Sequence, residues 1–169
     1  TDLDAVLIED ESVNGPVAVG TLRRGQADSM DSGAVVVAAA SKAVPHQGLS
    51  FGGSGSRVDC YAWGEGVATT LTDPAPAGMP LPSVYTTDFG GSSAAGAIIA
   101  GGALAIQGMY QHKWGAGNLL GPRILRALLG IGTPGLPDPN RDAGASGHIG
   151  NMPDLIAIAA AIDLDFDNA

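Results

Sequence analysis

Two hydroxyls stand side by side in "FGGSSAAGAIIAG", Phe89 to Gly101, where a pair of glycines gives way to small apolar residues. A serine placed where a glycine-rich turn enters a helix has two advantages as a nucleophile. The glycines let a substrate backbone approach closely. The unpaired N–H groups of the first helical turn, reinforced by the helix dipole, can hold a developing oxyanion. The same pattern also describes an N-cap, in which Ser92 or Ser93 merely accepts a bond from the first turn. Local chemistry leaves both readings open.

The remaining reactive side chains are few. Cys60 is the only cysteine, which excludes an internal disulfide. No cationic group or histidine stands beside it in sequence, so it reads as a buried, unreactive thiol. Asp163, Asp165 and Asp167 alternate as calcium ligands do, yet they lack the glycine and the downstream glutamate of a helix-loop site and read as a solvated acidic tail. Tyr61 and Trp63 read as packing residues. No cofactor and no metal site is expected.

Several elements must position the serines. "DSGAVVVAAAS" sets an apolar run, Ala34 to Ala40, behind a turn signal, the pattern of a central parallel strand covered on both faces. "SRVDCYAWG" alternates Val58, Cys60 and Ala62 with Arg57, Asp59 and Tyr61, which predicts a short strand near an edge. "GVATTLT" and "SVYTTDF" flank the proline-rich "DPAPAGMPLP", predicting two strands joined by an exposed loop. From Ser93 to about Gln111 the spacing is that of a buried helix. A second helix is predicted over Leu119 to Leu129, with an amphipathic face in "RILRALL". Gly130 to Gly150 reads as a surface loop. A last helix begins in "MPDLIAIAAAI", with Pro153 in its first turn and Asp154 near the positive end of its dipole.

At 169 residues the chain has the length of one domain, and neither a repeat nor a second domain is evident. Hydrophobic residues make up 45% and charged residues 15%, with 26 glycines and 11 prolines, a balance that suits a loop-rich α/β protein. A net charge of -9 leaves no basic stripe for nucleic acid or an anionic membrane surface. The longest apolar stretch, Ala94 to Met109, is interrupted by Gly96, Gly101, Gly102 and Gly108 and falls short of the roughly 20 residues that span a bilayer. The chain begins with Thr1 and shows no signal peptide, as a processed or partial chain would.

The order of residues narrows the choice at the serines. "GGSSAAGAIIAG" resembles the nucleophile motif of the subtilisin-like serine peptidases, GTSxAxPxxAG, without a gap. Gly91 takes the place of the glycine, Ser92 of the threonine and Ser93 of the nucleophilic serine, with Ala95, Ala100 and Gly101 following in register. Ala97 stands where the family has proline. "GSRVDCYAWGEGVATT" resembles the family's GxxVDvxAPGxxvxT strand and turn, and "DSGAVVVAAAS" its preceding VIxVGA strand. "GPRILRALLGIGT" is similar to the xPxxlrxxLxxTA helix, and "HIGNMPDL" and "DLDA" to segments of some bacterial members. The blocks occur in family order and cover roughly Asp31 to Leu155.

That resemblance implies a three-layer, mostly parallel α/β fold of the subtilisin type, of which residues 1–169 are a single partial domain, the nucleophile-bearing C-terminal half. It implies a serine endopeptidase in which Ser93 attacks, Gly91 and Ser92 shape the wall beside the scissile bond, and Asp59 is structural. The family's DTG and HGTxVAG blocks, which carry the triad aspartate and histidine, have no counterpart here. His46, His112 and His148 all lack the HGT context and read as surface residues. The implied partners are a polypeptide substrate and the missing N-terminal half of the same domain, and the implied location is extracellular. A chain lacking two triad members also fits a second class, a non-catalytic binding or structural module that keeps the fold.

Overall fold

A computed structural model describes residues 1–12, 15–71, 84–140 and 147–163. It is a mixed α/β structure with three α-helices and three small sheets. After a 3-10 turn at Leu3–Ala5 come β1 (Leu7–Ser12), β2 (Gly15–Thr21), β3 (Val37–Ala40), β4 (Cys60–Trp63), β5 (Val67–Leu71) and β6 (Val84–Phe89). Then follow α1 (Gly91–Trp114), α2 (Pro122–Leu129), β7 (Gly132–Pro134), β8 (Asn151–Pro153) and α3 (Leu155–Ala161).

The central sheet runs β3-β4-β8-β7, with β3, β4 and β8 parallel and β7 antiparallel to β8. The two early strands therefore exchange the positions their sequences predict: β3 is the edge strand and β4 lies inside. The alternation in β4 misleads because its polar members are not turned to water. Tyr61 is fully buried, and the side chains of Arg57 and Asp59 are 3% and 4% exposed in an ion pair. Partway along its outer edge β3 is covered by a short segment, with the Leu49 N–H donating to the Ala39 carbonyl and a bridge joining Ala40 to Gly48.

All three helices pack on one face of this sheet. Ala39, Cys60 and Ala62 meet Ala95, Ile99 and Ile106 of α1, Leu128 and Leu129 of α2, and Ile158 of α3. Small residues on both sides let α1 lie close to the strands, and the fully buried Ile106, Leu129 and Ile158 each contribute roughly 1.5–3 kcal/mol. The opposite face holds Ala38, Ala40, Val58, Tyr61 and Ile149, with Leu3 packed against them. Among the described residues no α-helix covers it.

The sequence-based extents need adjustment. α1 is 24 residues long, long and apolar enough by length and composition to cross a bilayer, although the apolar stretch alone is shorter. It is also buried along one side only, through Ala94, Ala95, Ile99 and Ile106. α2 starts at Pro122, where proline's fixed φ suits the first turn and Gly121 precedes it. Pro153 belongs to β8, and Asp154 is the N-cap of α3, its carboxylate accepting from the Ile156 and Ala157 N–H groups at 2.9 and 3.1 Å. The turn-rich Gly130–Gly150 stretch contains β7, whose partner β8 is supplied from beyond it. β5 and β6, the two predicted strands, pair antiparallel, which decides for a hairpin over a wide excursion; the proline-rich loop between them lies outside the described residues, as do Asp165 and Asp167.

The β1–β2 hairpin has no counterpart in the sequence reading. Four consecutive polar residues, Glu9 to Ser12, hide the first strand, since acidic residues are depleted in strands. The Asn14-Gly15 dipeptide was the available hairpin signal.

Candidate active site at the N-terminus of helix α1

β4 ends at Trp63, and its next residue, Gly64, is the anchor for the start of α1. The Gly91 N–H donates to the Gly64 carbonyl at 2.8 Å, and the Gly64 N–H donates to the Ala40 carbonyl at 2.8 Å. These bonds fix the helix start to the C-terminal ends of β3 and β4, the end of a parallel sheet at which ligands bind in open α/β folds. The join leaves no room for side chains. A Cβ on Gly64 would lie 2.6 Å from the Ala39 Cβ, and one on Gly90 would lie 2.6 Å from the Gly64 carbonyl oxygen. Gly91 has φ +86°, in the left-handed region that glycine favours.

Gly90 is the N-cap of α1 and makes no side-chain cap bond, so neither serine caps the helix. Ser92 and Ser93 lie inside the first turn and are exposed, whereas Ala94 and Ala95 behind them are buried. Neither hydroxyl has a hydrogen-bond partner among the described residues, and the amides of Ser92 and Ser93 have no acceptor there. The helix thus presents free hydroxyls and free N–H groups together at its positive end, where a negatively charged oxygen is stabilised.

Gly91, Ser92 and Ser93 are contiguous at this site; the histidines do not join them. His46 is half-buried beside the ends of β3 and β4. Its Nδ1–H donates to the Ser41 carbonyl at 2.9 Å, and its ring lies 5.9 Å from that of Tyr61 and 6.5 Å from that of Trp63. His112 is exposed near the far end of α1, and His148 is exposed beside Ile149. Among the described residues none of the three bonds to Ser92 or Ser93. Trp63, 44% exposed, also borders an apolar cavity of about 210 Å3 between the sheet, α1 and α3, lined by Ile98, Gly102, Leu129, Met152 and Leu155.

At the other end of β4 lies a charge network that the sequence reading did not anticipate. The Arg57 guanidinium bonds Asp59 at 3.0 Å, Asp31 at 3.0 Å and the Ala34 carbonyl at 2.7 Å. Asp59 also pairs with Arg24 and accepts the Val36 N–H at 2.7 Å, and Arg126 reaches Asp31 at 2.8 Å. The Arg126 hydrogen bond, helped by the Gly33 N–H and the charge of Arg57, holds the Asp31 carboxyl well below the usual carboxylate range. Arg126 is raised in turn by Asp31. Asp59 is structural, as expected: it ties strand, edge and α2 together. Opposite charges two residues apart just before β4, Arg57 and Asp59, are the sequence signal for this network. Cys60 is buried, and burial pushes its thiol up to about 12, so it is not a nucleophile at neutral pH.

No protein-family model matches the chain, and no curated protein matches it.

Proposed function

We propose that the chain is the nucleophile-bearing part of a subtilisin-like serine endopeptidase, with Ser93 as the nucleophile. The observation that carries this reading is the placement of Ser93: an exposed, unbonded hydroxyl in the first turn of α1, pinned by Gly90 and Gly91 to the C-terminal end of β4. The segments whose sequences resemble the family's strands and helices contain β3, β4, α1 and α2, and this supports the reading. In the three-layer fold of that reading, a second helical layer from residues outside this chain covers the face carrying Tyr61 and Ile149.

In the proposed reaction the Ser93 Oγ attacks the peptide carbonyl carbon while a histidine supplied from outside this chain takes its proton. The Ser93 N–H donates to the oxygen that becomes negative, and Gly91 and Ser92 form the wall beside the scissile bond. The C–N bond breaks as the amine receives that proton, and water then hydrolyses the Ser93 ester. His46 is not the base proposed here: among the described residues it makes no bond to Ser93, and its ring lies against Tyr61 and Trp63.

The competing reading, a non-catalytic module of the same fold, draws on Ser92 and Ala97, which replace the threonine and proline of the family motif. Casein hydrolysis separates the two. The chain joined to an upstream segment carrying DTG and HGT blocks is expected to hydrolyse casein and to lose that activity on Ser93→Ala. The 169-residue chain by itself is expected to show little turnover. An upstream reading frame without those blocks, or an extended protein whose activity survives Ser93→Ala, refutes the enzyme reading.

A further inference from the structure

We propose that the pocket at the N-terminal end of β4 binds a small molecule bearing an oxyanion of the phosphate or carboxylate class. The pocket encloses about 300 Å3 and is lined by Arg24, Asp59, Arg123, Arg126, Gly130 and His148. With Arg57 behind it, three guanidinium groups, those of Arg24, Arg57 and Arg126, pair with the carboxylates of Asp31 and Asp59, and Arg123 lines the same pocket, so the arginines outnumber the two carboxylates by two. That excess stands out in a chain whose net charge is -9 and which has only 8 lysines and arginines.

The distribution of bonds says which groups are committed and which are open. Arg57 is 3% exposed and fully engaged with Asp31, Asp59 and the Ala34 carbonyl, so it holds the network in place. Asp59 is 4% exposed, and its Oδ1 lies between Arg24 and Arg126, fixing both guanidinium groups at the pocket wall. Arg123 is exposed and has no ion pair or hydrogen bond among the described residues. Guanidinium planes present paired N–H donors that match the two oxygens of a carboxylate or phosphate.

Two features work against an anion and are both offset. The Asp59 carboxylate is already neutralised by Arg57 and Arg24. α2 points its negative end at Gly130, but the Gly130 carbonyl is occupied by the Asn151 side-chain amide at 2.6 Å. Val58 and Asp59 precede β4 whereas Gly64 follows it, so about 15 Å of strand at about 3.3 Å per residue separates this pocket from Ser93. The site is therefore independent of the serine chemistry.

Equilibrium dialysis of the 169-residue chain against inorganic phosphate, with chloride holding the ionic strength constant, tests the assignment. Saturable binding of one equivalent is expected, weakened at least tenfold by Arg123→Gln and abolished by Arg123→Glu. Both variants alter an exposed side chain that has no bond among the described residues, so their thermal midpoints should match the parent. Succinate in place of phosphate distinguishes the two ligand classes: the tighter of the two names the group recognised. Non-saturating uptake of both anions, or an affinity unchanged in Arg123→Glu, overturns the proposal.

Discussion

At Gly91 the backbone turns through φ +86° while its N–H reaches back to Gly64, and the residue's role follows from those two facts. Any side chain at Gly91 would have open space, so Gly91→Ala is penalised by conformation and not by contact. The cost is about 1–2 kcal/mol, read as a lower urea midpoint. Ser93→Ala, at an exposed position without a bond, should change stability by no more than about 0.5 kcal/mol. The pair of substitutions separates a residue that shapes the turn from one that the fold does not depend on. At this scale the sequence was informative about the serines: the glycine pair and the small apolar run placed them at a helix start. It could not decide between cap and nucleophile, because capping depends on which residue begins the helix. Gly90 takes that place and frees both hydroxyls.

Among the elements, β4 with Arg57 and Asp59 just before it shows what a period-2 pattern can conceal. Alternation was legible, but it reports polarity and not exposure, and a buried ion pair inverts the usual inference. Its partners are Arg24, Asp31 and Arg126, and Asp31 and Arg126, which bond each other, are 95 residues apart, a separation no local pattern encodes. The network has a pH signature. The native Asp31 pKa is depressed by Arg126, so its contribution is fully present above the unfolded value of about 3.9 and is lost as pH falls through the native one. Urea midpoints at pH 7, 5 and 3 should be nearly level between the first two and drop at the third. Asp31→Asn should lower the midpoint at pH 7 and flatten the fall below pH 4. An unchanged acid limb in that variant would remove Asp31 from the account. The helices follow the sequence more closely, α1 and α3 as continuous small apolar runs and α2 as an amphipathic one, with only their ends displaced by one turn or so.

For the molecule as a whole, the packing is one-sided. Ala97, Gly101, Leu104 and Gly108 recur at helical spacing along α1 and all are exposed, with Leu104 75% and Ile156 of α3 77% exposed. Among the described residues the outer edge of β3 is covered at Ala39 and Ala40, by Leu49 and Gly48. Apolar helix faces and a parallel-sheet edge are buried on both sides in complete α/β folds. In the proposed domain the upstream half supplies that cover. Composition made the α/β class legible, but a strand's place in a sheet depends on its neighbours, and among the described strands β3 has only β4 beside it. The 169-residue chain should therefore associate as its concentration rises, with light scattering giving a mass above 16.8 kDa. Leu104→Glu should shift it toward the monomer. A monomer at every concentration would contradict the open-face account.

The identity of the nucleophile is tested most directly by a fluorophosphonate probe, with the adduct located by mass spectrometry. Joined to an upstream segment bearing the aspartate and histidine blocks, the protein should be labelled rapidly and stoichiometrically at Ser93. Ser93→Ala should abolish the adduct, and the 169-residue chain alone should label slowly. Absence of an adduct at Ser93 in the extended protein, or labelling at another residue, would contradict the account.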